Sequence, residues 1–570
     1  MGANILNLWV MGRINSLFAS AAAVLAMASG GLAPAQANQR TNPGNLALAS
    51  GGNLASAQAN QRTNPGNLAM ASGGGHSTEQ TPAVREGGRR QNRTQEYVGL
   101  VSQNDILKGS QFSILAVKVG GDTIASRNPD TRMLPASNMK LITTGAAIHA
   151  LGPDFRYSTR LGYSGQIRDG VLDGDLYIIG GGDPTIASKD SMAVPRFFLF
   201  SQWAGMLEKA GIREIGGRII GDGRYFDGPI EKDSWAYHDI GCSDACGGDG
   251  LCFYENIQEV KVSAGSSVGA PVCAAPVFPT TPWMRYGINA RTGKAGTGDN
   301  LYYFPTEYVA YGEIVGSYAI DLKPRTETFS NKFGAYTCAY QFFNYLKTKG
   351  IEAKGGVADV RMGRIRTDLD SQEYGPYAAK VDDLTVIGGT QSPTLKEIAL
   401  MTNLKSDNFY AETLLRTLGR RMHHSATYDS SYVALNDVFK SLGVDASGVQ
   451  IRDGSGLSRH NYLSPSFIVS FLKAMMGSPA FGDYIQTIGV AGGAHYESRL
   501  ASESADVRNR VHLKSGSMNG VRCYSGYIEP RDGTKEDVIV FSIMTNNALV
   551  RASQVDPILD RIMAFLASEN

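Results

Sequence analysis

The chain has 570 residues, 42% of them hydrophobic and 19% charged, which exceeds a single hydrophobic core and suits a globular protein of two or three domains. Its 54 Lys and Arg balance 53 Asp and Glu, so it carries no basic field for a nucleic acid, and none is expected as a partner.

Residues 1–37 read as an export signal: Arg13 is the only early charge, Leu17 to Met27 is apolar, and Ala35-Gln36-Ala37 offers small residues for cleavage. The apolar run is well short of the roughly 20 residues that span a bilayer, so no transmembrane anchor is predicted, and peripheral membrane association is left open. The expected address is the periplasm or cell envelope of a bacterium. Residues 35–52 recur at 57–74 with Leu48 replaced by Met70. Their Ala/Asn/Gly/Gln composition can bury little, and 38–96 is expected to be a disordered, low-complexity linker.

Order is predicted from Tyr97. Phe112 to Val119 and Thr123 to Ser126 form a hairpin around Gly120-Gly121, and Ala136 to Leu151 a helix stopped by Gly152-Pro153. Between about 155 and 376 the pattern changes to short alternating strands, many glycines and two helices, Ala193 to Ala210 and Asn331 to Lys349. This reads as an insertion. Helices return at Pro393 to Leu404, Asp407 to Met422 and Pro465 to Met476, the last with Ser464 as N-cap. Strands then run over His512 to Ser515, Arg522 to Ile528 and Asp537 to Thr545, before a closing helix from Gln554 to Ser568. Two strands at the start and three at the end make one antiparallel sheet flanked by helices, an α/β (α+β) fold. Its domain is discontinuous, 97–154 plus 377–570, interrupted by a mainly β insertion of one or two small domains over 155–376.

Six cysteines in an oxidising compartment point to disulfides. Cys242, Cys246, Cys252 and Cys273 cluster, and one or two bridges among them are expected, a zinc site being the rival. Cys338 and Cys523 lie in helix and strand patterns and read as buried thiols. The eight histidines make no metallopeptidase pattern and no nucleotide fingerprint appears, so neither metal nor cofactor is expected.

Ser137-Asn138-Met139-Lys140 places a hydroxyl and an ammonium three residues apart at a helix start, on one face. A serine becomes a nucleophile when a neighbouring base takes its proton, and a lysine serves as that base when desolvation lowers its pKa. The spacing alone is weak, because Ser470-Phe471-Leu472-Lys473 repeats it inside an ordinary amphipathic helix. Two further motifs separate them: Ser406-Asp407-Asn408 between two helices, where Ser and Asp also suit a helix N-cap, and Lys514-Ser515-Gly516 on a strand. The three together form the set found in penicillin-binding proteins and class A β-lactamases.

With these motifs, and with the stretches Asp175–Pro184, Ser406–Leu415, Asp453–Arg459 and Lys514–Val521, the chain resembles the low-molecular-mass class C penicillin-binding proteins, the D-alanyl-D-alanine carboxypeptidase/endopeptidase family. The resemblance spans roughly 97 to 568 and includes the long insertion between Ser137 and Ser406; the Cys242–Cys252 segment departs from the family pattern. It implies a transpeptidase-type catalytic domain with Ser137 as acylated nucleophile and Lys140 as general base. Ser406 and Asn408 then form the second motif, and Lys514, Ser515 and Gly516 a carboxylate-binding strand. Ser517 supplies an N–H that pairs with that of Ser137 as an oxyanion hole. Implied partners are peptidoglycan stem peptides, with β-lactams as covalent inhibitors. The rivals are a β-lactamase on the same fold, disfavoured by the long insertion, and a non-catalytic peptidoglycan-binding protein. Asp453-Gly454-Ser455-Gly456 fails the Gly-x-Ser-x-Gly pattern and reads as a tight loop beside the site.

Overall fold

In the strands Val521–Ile528 and Ile539–Asn546 every position is buried, which requires cover on both faces of the sheet that holds them. A computed structural model of the chain describes residues 92–101, 103–306, 308–360, 379–496 and 498–568. The export signal, the tandem repeat and the 376/377 boundary lie outside the described residues. The sheet has six strands in the order Gly489–Val490, Val511–Met518, Val521–Ile528, Ile539–Asn546, Gln111–Lys118, Thr123–Arg127, each antiparallel to its neighbours. The expected pairing of the first two strands with the last three is therefore present, with a two-residue edge strand added.

Side chains alternate between the faces. Cys523, Tyr527, Val540 and Met544 join a core built on the helices Met139–Leu151, Leu395–Leu404, Asn408–His423, Tyr428–Ser441 and Pro465–Met475. Tyr524, Ile528, Phe541 and Ile543 join a second core under the helices Arg93–Val101 and Ala552–Ser568. The first of those helices corrects the linker expectation at its end. Residues 93–96 are helical, because Val98 and Val101 bury their side chains and Tyr97 sets its ring edge-on to Phe565 at 5.4 Å. Helix Tyr428–Ser441 is absent from the sequence reading. Its apolar positions Tyr428, Ala434, Leu435, Val438 and Phe439 have helical spacing, but polar residues dilute them.

The inserted region has its own core around a five-stranded sheet, ordered Gly356–Asp359, Arg218–Asp222, Leu176–Ile179, Ser158–Tyr163, Thr385–Gln391. The two helices expected in the insertion are present as Arg196–Lys209 and Gly334–Thr348, and they pack on this sheet. The last strand pairs antiparallel with Ser158–Tyr163, so the chain leaves this sheet only after Gln391, later than the expected 376. Three smaller sheets complete the insertion: Ile257–Ser263 with its neighbours Cys273–Phe278 and Arg325–Ser330, a group centred on Tyr311–Ala319, and Val171–Asp173 between Gln166–Arg168 and Glu214–Ile215.

The disulfides expected among the clustered cysteines do not form; all six thiols are free. Cys246 and Cys252 are buried in the main helical core, with Sγ donating to the carbonyls of Asn256 (2.9 Å) and Asp249 (3.1 Å). Cys273 instead stands exposed on a strand opposite Ser263. Among the described residues no group of His, Cys, Asp or Glu is arranged to hold a metal ion.

Candidate active site

The chain enters the site from Pro135 through a single turn of 3₁₀ helix, Ala136–Asn138, that runs on into Met139–Leu151. That helix is apolar nearly all round and its residues Met139 to Ile148 are all buried, so Lys140 goes into the core with them. Asn138 fixes the turn to the sheet: its Nδ2 donates to Ser525 Oγ at 2.7 Å, and Ser525 Oγ donates to Ser542 Oγ at 2.9 Å. Gly516 lets the strand approach the same turn. A Cβ there would lie 2.6 Å from the Pro135 carbonyl oxygen.

Ser137 remains partly exposed while Lys140 has no exposed surface. Lys140 Nζ donates to Ser137 Oγ (2.9 Å), Asn408 Oδ1 (2.5 Å) and the Ser455 carbonyl (2.9 Å), which occupies all three N–H bonds of an ammonium. Burial pushes its pKa down to about 8, against the opposing pull of Asp407, Asp453, Asp244 and Glu412. A lysine in that state holds a usable neutral fraction near neutral pH and can accept the Ser137 proton.

The second motif is both an N-cap and a site element. Asp407 caps helix Asn408–His423 by accepting from the Tyr410 N–H at 2.8 Å, which leaves Asn408 at the first helical position facing Lys140. Ser406, just before it, adopts a left-handed φ of 59°. Ser406 Oγ accepts from Lys514 Nζ at 3.0 Å, and the same ammonium donates to the Ser515 carbonyl at 2.8 Å. Lys514 is fully buried; burial, then the charges of Lys140 and Arg522, pushes its pKa well down. The structure thus gathers Ser137 and Asn408 around the Lys140 ammonium, and Ser406 and Ser515 around that of Lys514. Ser517 lies one residue past the close approach of Gly516, in register with Arg522. The alternative pair, Ser470 and Lys473, is exposed on helix Pro465–Met475, away from any such cluster.

Residues that the motifs do not name complete the site. The expected loop beside the site is Asp453–Ser458, and it supplies the third acceptor of Lys140. Asp453 is its anchor, accepting from Gly456 N (2.8 Å), Ser458 N (2.5 Å), Asn461 Nδ2 (2.7 Å) and, from the insertion, Trp235 Nε1 (3.0 Å). A second tie from the insertion is the Asp244 carbonyl, which accepts from Asn408 Nδ2 at 2.9 Å. Nothing in the local pattern marks Trp235 or Asp244, since their role comes from contacts more than 160 residues away in sequence.

Gly456 has φ 86°, and a Cβ on it would fall 1.9 Å from the Ala136 carbonyl oxygen, itself in a residue with φ 46°. Gly456→Ala is therefore expected to destabilise the fold by about 2–4 kcal/mol and to displace Ser137. Denaturant unfolding and the rate of penicillin acylation are the measurements, and a variant unchanged in both would contradict the tight packing.

Residues 95–568 match the D-Ala-D-Ala carboxypeptidase 3 (S13) family. The chain belongs to this family of low-molecular-mass class C penicillin-binding proteins. Membership makes it a peptidase, a hydrolase. It is 26% identical over 488 residues to a D-alanyl-D-alanine carboxypeptidase of Actinomadura sp. (strain R39), covering 82% of this chain and 83% of that one. The D-alanyl-D-alanine carboxypeptidase DacB of Haemophilus influenzae is 26% identical over 443 residues, 76% of this chain and 85% of its own. The crystal structure of penicillin binding protein 4 from the same organism superposes with a TM-score of 0.68 at 23% identity, covering 83% of this chain and 98% of that one. A further structure of that protein is a complex with a β-lactam. The superposition shows that the two proteins share a fold.

Proposed function

We propose that this S13 peptidase cleaves D-alanyl-D-alanine stem peptides of peptidoglycan, as a carboxypeptidase and D,D-endopeptidase, through an acyl-enzyme on Ser137. The observation that carries the reading is the buried Lys140 ammonium shared between Ser137 Oγ and Asn408 Oδ1. In the proposed sequence neutral Lys140 takes the hydroxyl proton as Ser137 Oγ bonds to the carbonyl carbon between the two D-alanines. The oxyanion is held by the N–H groups of Ser137 and Ser517. The C–N bond then breaks, the leaving amine takes up, through Ser406, the proton that Lys140 had accepted, and the ester remains beside a Lys140 that is neutral again. Water, deprotonated by Lys140, releases the product acid and returns the proton to Ser137.

Lys514 and Ser515 receive the substrate carboxylate. Burial and neighbouring cations depress the Lys514 ammonium, and a carboxylate bound there favours its charged form. A β-lactam presents the same carbonyl and carboxylate but retains its leaving nitrogen by a tether, so it is expected to act as a covalent inhibitor. The catalytic domain is read as 93–154 with 392–568, the two stretches sharing the six-stranded sheet. Export to the bacterial cell envelope rests on the leader pattern of residues 1–37; no helix among the described residues is long and apolar enough to cross a membrane.

Mass spectrometry after incubation with benzylpenicillin tests the assignment. One adduct of penicillin mass on the Ser137 peptide is expected; an adduct on the Ser470 peptide would overturn it.

A further inference from the structure

The reaction as proposed leaves one buried carboxylate beside its base without a task. Glu412 is fully buried on helix Asn408–His423, one turn beyond Asn408. Its Oε1 accepts from the Ser455 N–H at 2.8 Å and the Gly454 N–H at 3.1 Å, and its Oε2 from Gly454 N–H at 3.2 Å and Tyr428 Oη at 3.1 Å. The carbonyls of the same two residues point the other way, into the nucleophile helix. Gly454 O accepts from Thr143 Oγ1 at 2.7 Å, and Ser455 O from Lys140 Nζ at 2.9 Å. The dipeptide 454–455 is thus a backbone bridge, its donors on Glu412 and its acceptors on the helix that carries Ser137 and Lys140. It has no slack, since a Cβ on Gly454 would lie 2.6 Å from the Ala411 carbonyl oxygen.

We propose that Glu412 is a positioning residue for Lys140, acting through the backbone of Gly454 and Ser455 and through its own charge. The inference rests on the acyl-transfer reading of the same site and adds to it a group that holds the base without touching substrate. Two effects follow. The clamp aims the Ser455 carbonyl at Lys140 Nζ, leaving the amine directed between Ser137 Oγ and Asn408 Oδ1. The Glu412 anion also favours the ammonium form of Lys140, along with Asp407, Asp453 and Asp244, against the opposing effect of burial. Burial, then the neighbouring Asp453, raises the Glu412 carboxyl to about 7. Glu412 therefore becomes an anion just below the pH at which Lys140 loses its proton.

The sign is fixed by the chemistry. Loss of the Glu412 charge makes Lys140 easier to deprotonate, so the rising limb of the acylation profile moves to lower pH. Loss of the clamp lowers the plateau.

The experiment is the second-order rate of benzylpenicillin acylation from pH 5.5 to 10 for wild type, Glu412→Gln and Glu412→Asp, with the wild-type adduct mapped in parallel. For Glu412→Gln the expected result is a plateau reduced by about tenfold or more and a limb displaced downward by about half a pH unit or more. Glu412→Asp keeps the charge but not the reach, so its plateau falls while its limb stays. A Glu412→Gln plateau within about twofold of wild type, or a lowered plateau with an unmoved limb, overturns the proposal. Should Glu412→Gln fail to fold, wild-type protein labelled at lysine Cε answers the same question. The Lys140 resonance, identified by its loss in Lys140→Arg, is expected to show a second inflection near 7, and a single inflection overturns the inference. Absence of a Ser137 adduct on wild type would instead remove the acyl-transfer reading itself.

Discussion

Replacing Ser137 with alanine is expected to abolish the penicillin adduct and to lower release of D-alanine from a D-Ala-D-Ala peptide by on the order of 10⁴-fold or more. The size of the effect follows from what remains. Lys140 keeps its bonds to Asn408 and Ser455, and Lys514 keeps Ser406, so the rest of the site survives, but no atom is left to form the ester. Stability should change little, because Ser137 is partly exposed and the turn is held by Asn138 on Ser525. Peptide release is measured by quantifying free D-alanine, with the adduct followed by intact mass. Persistence of release at a wild-type rate in Ser137→Ala would remove the serine mechanism.

Lys140 carries the second large effect. Acylation needs its neutral amine, and burial has brought its pKa down to about 8. The acylation rate should therefore climb as pH rises through about 8 and level off above it, the direction expected of a base that works deprotonated. Arginine at 140 would keep a cation in the same place but could not lose its proton at any accessible pH. Its acylation rate is expected to drop by about 10²–10⁴-fold and to lose the rising limb. Stopped-flow acylation with a fluorescent penicillin across this range is the check, and a Lys140→Arg profile that still rises through 8 would place the base elsewhere. After burial itself, the Lys140 charge lowers the proton affinity of the buried Lys514. The four carboxylates that attract Lys140 keep its shift moderate.

Much of the site was readable along the chain because its parts are short motifs with local mechanics. Ser137 and Lys140 share a face by helical spacing, Asp407 announces a cap, and Gly516 marks a strand approached closely by another backbone. The same locality limits what such patterns can decide. Ser470 and Lys473 have identical spacing, and within the four residues themselves nothing separates the two pairs; the companion motifs and burial do, Lys140 going into the core and Lys473 into solvent. The clustered cysteines suggested bridges by proximity in sequence, yet the folded chain seats Cys246 and Cys252 in the helical core and Cys273 on an exposed strand.

The sequence by itself pointed to the candidate reactive set, and it determined the hairpin and terminal strands that share one sheet and the presence of a long insertion, because each rests on periodicity or on residues a few positions apart. The tertiary structure alone decided which ammonium meets which hydroxyl, Lys140 with Ser137 and Lys514 with Ser406. It also decided that Glu412, Asp453 and Trp235 hold the loop that faces the base. The reason is physical. Proton affinity and orientation at Lys140 depend on burial and on charges brought together from segments hundreds of residues apart, and no local pattern encodes either.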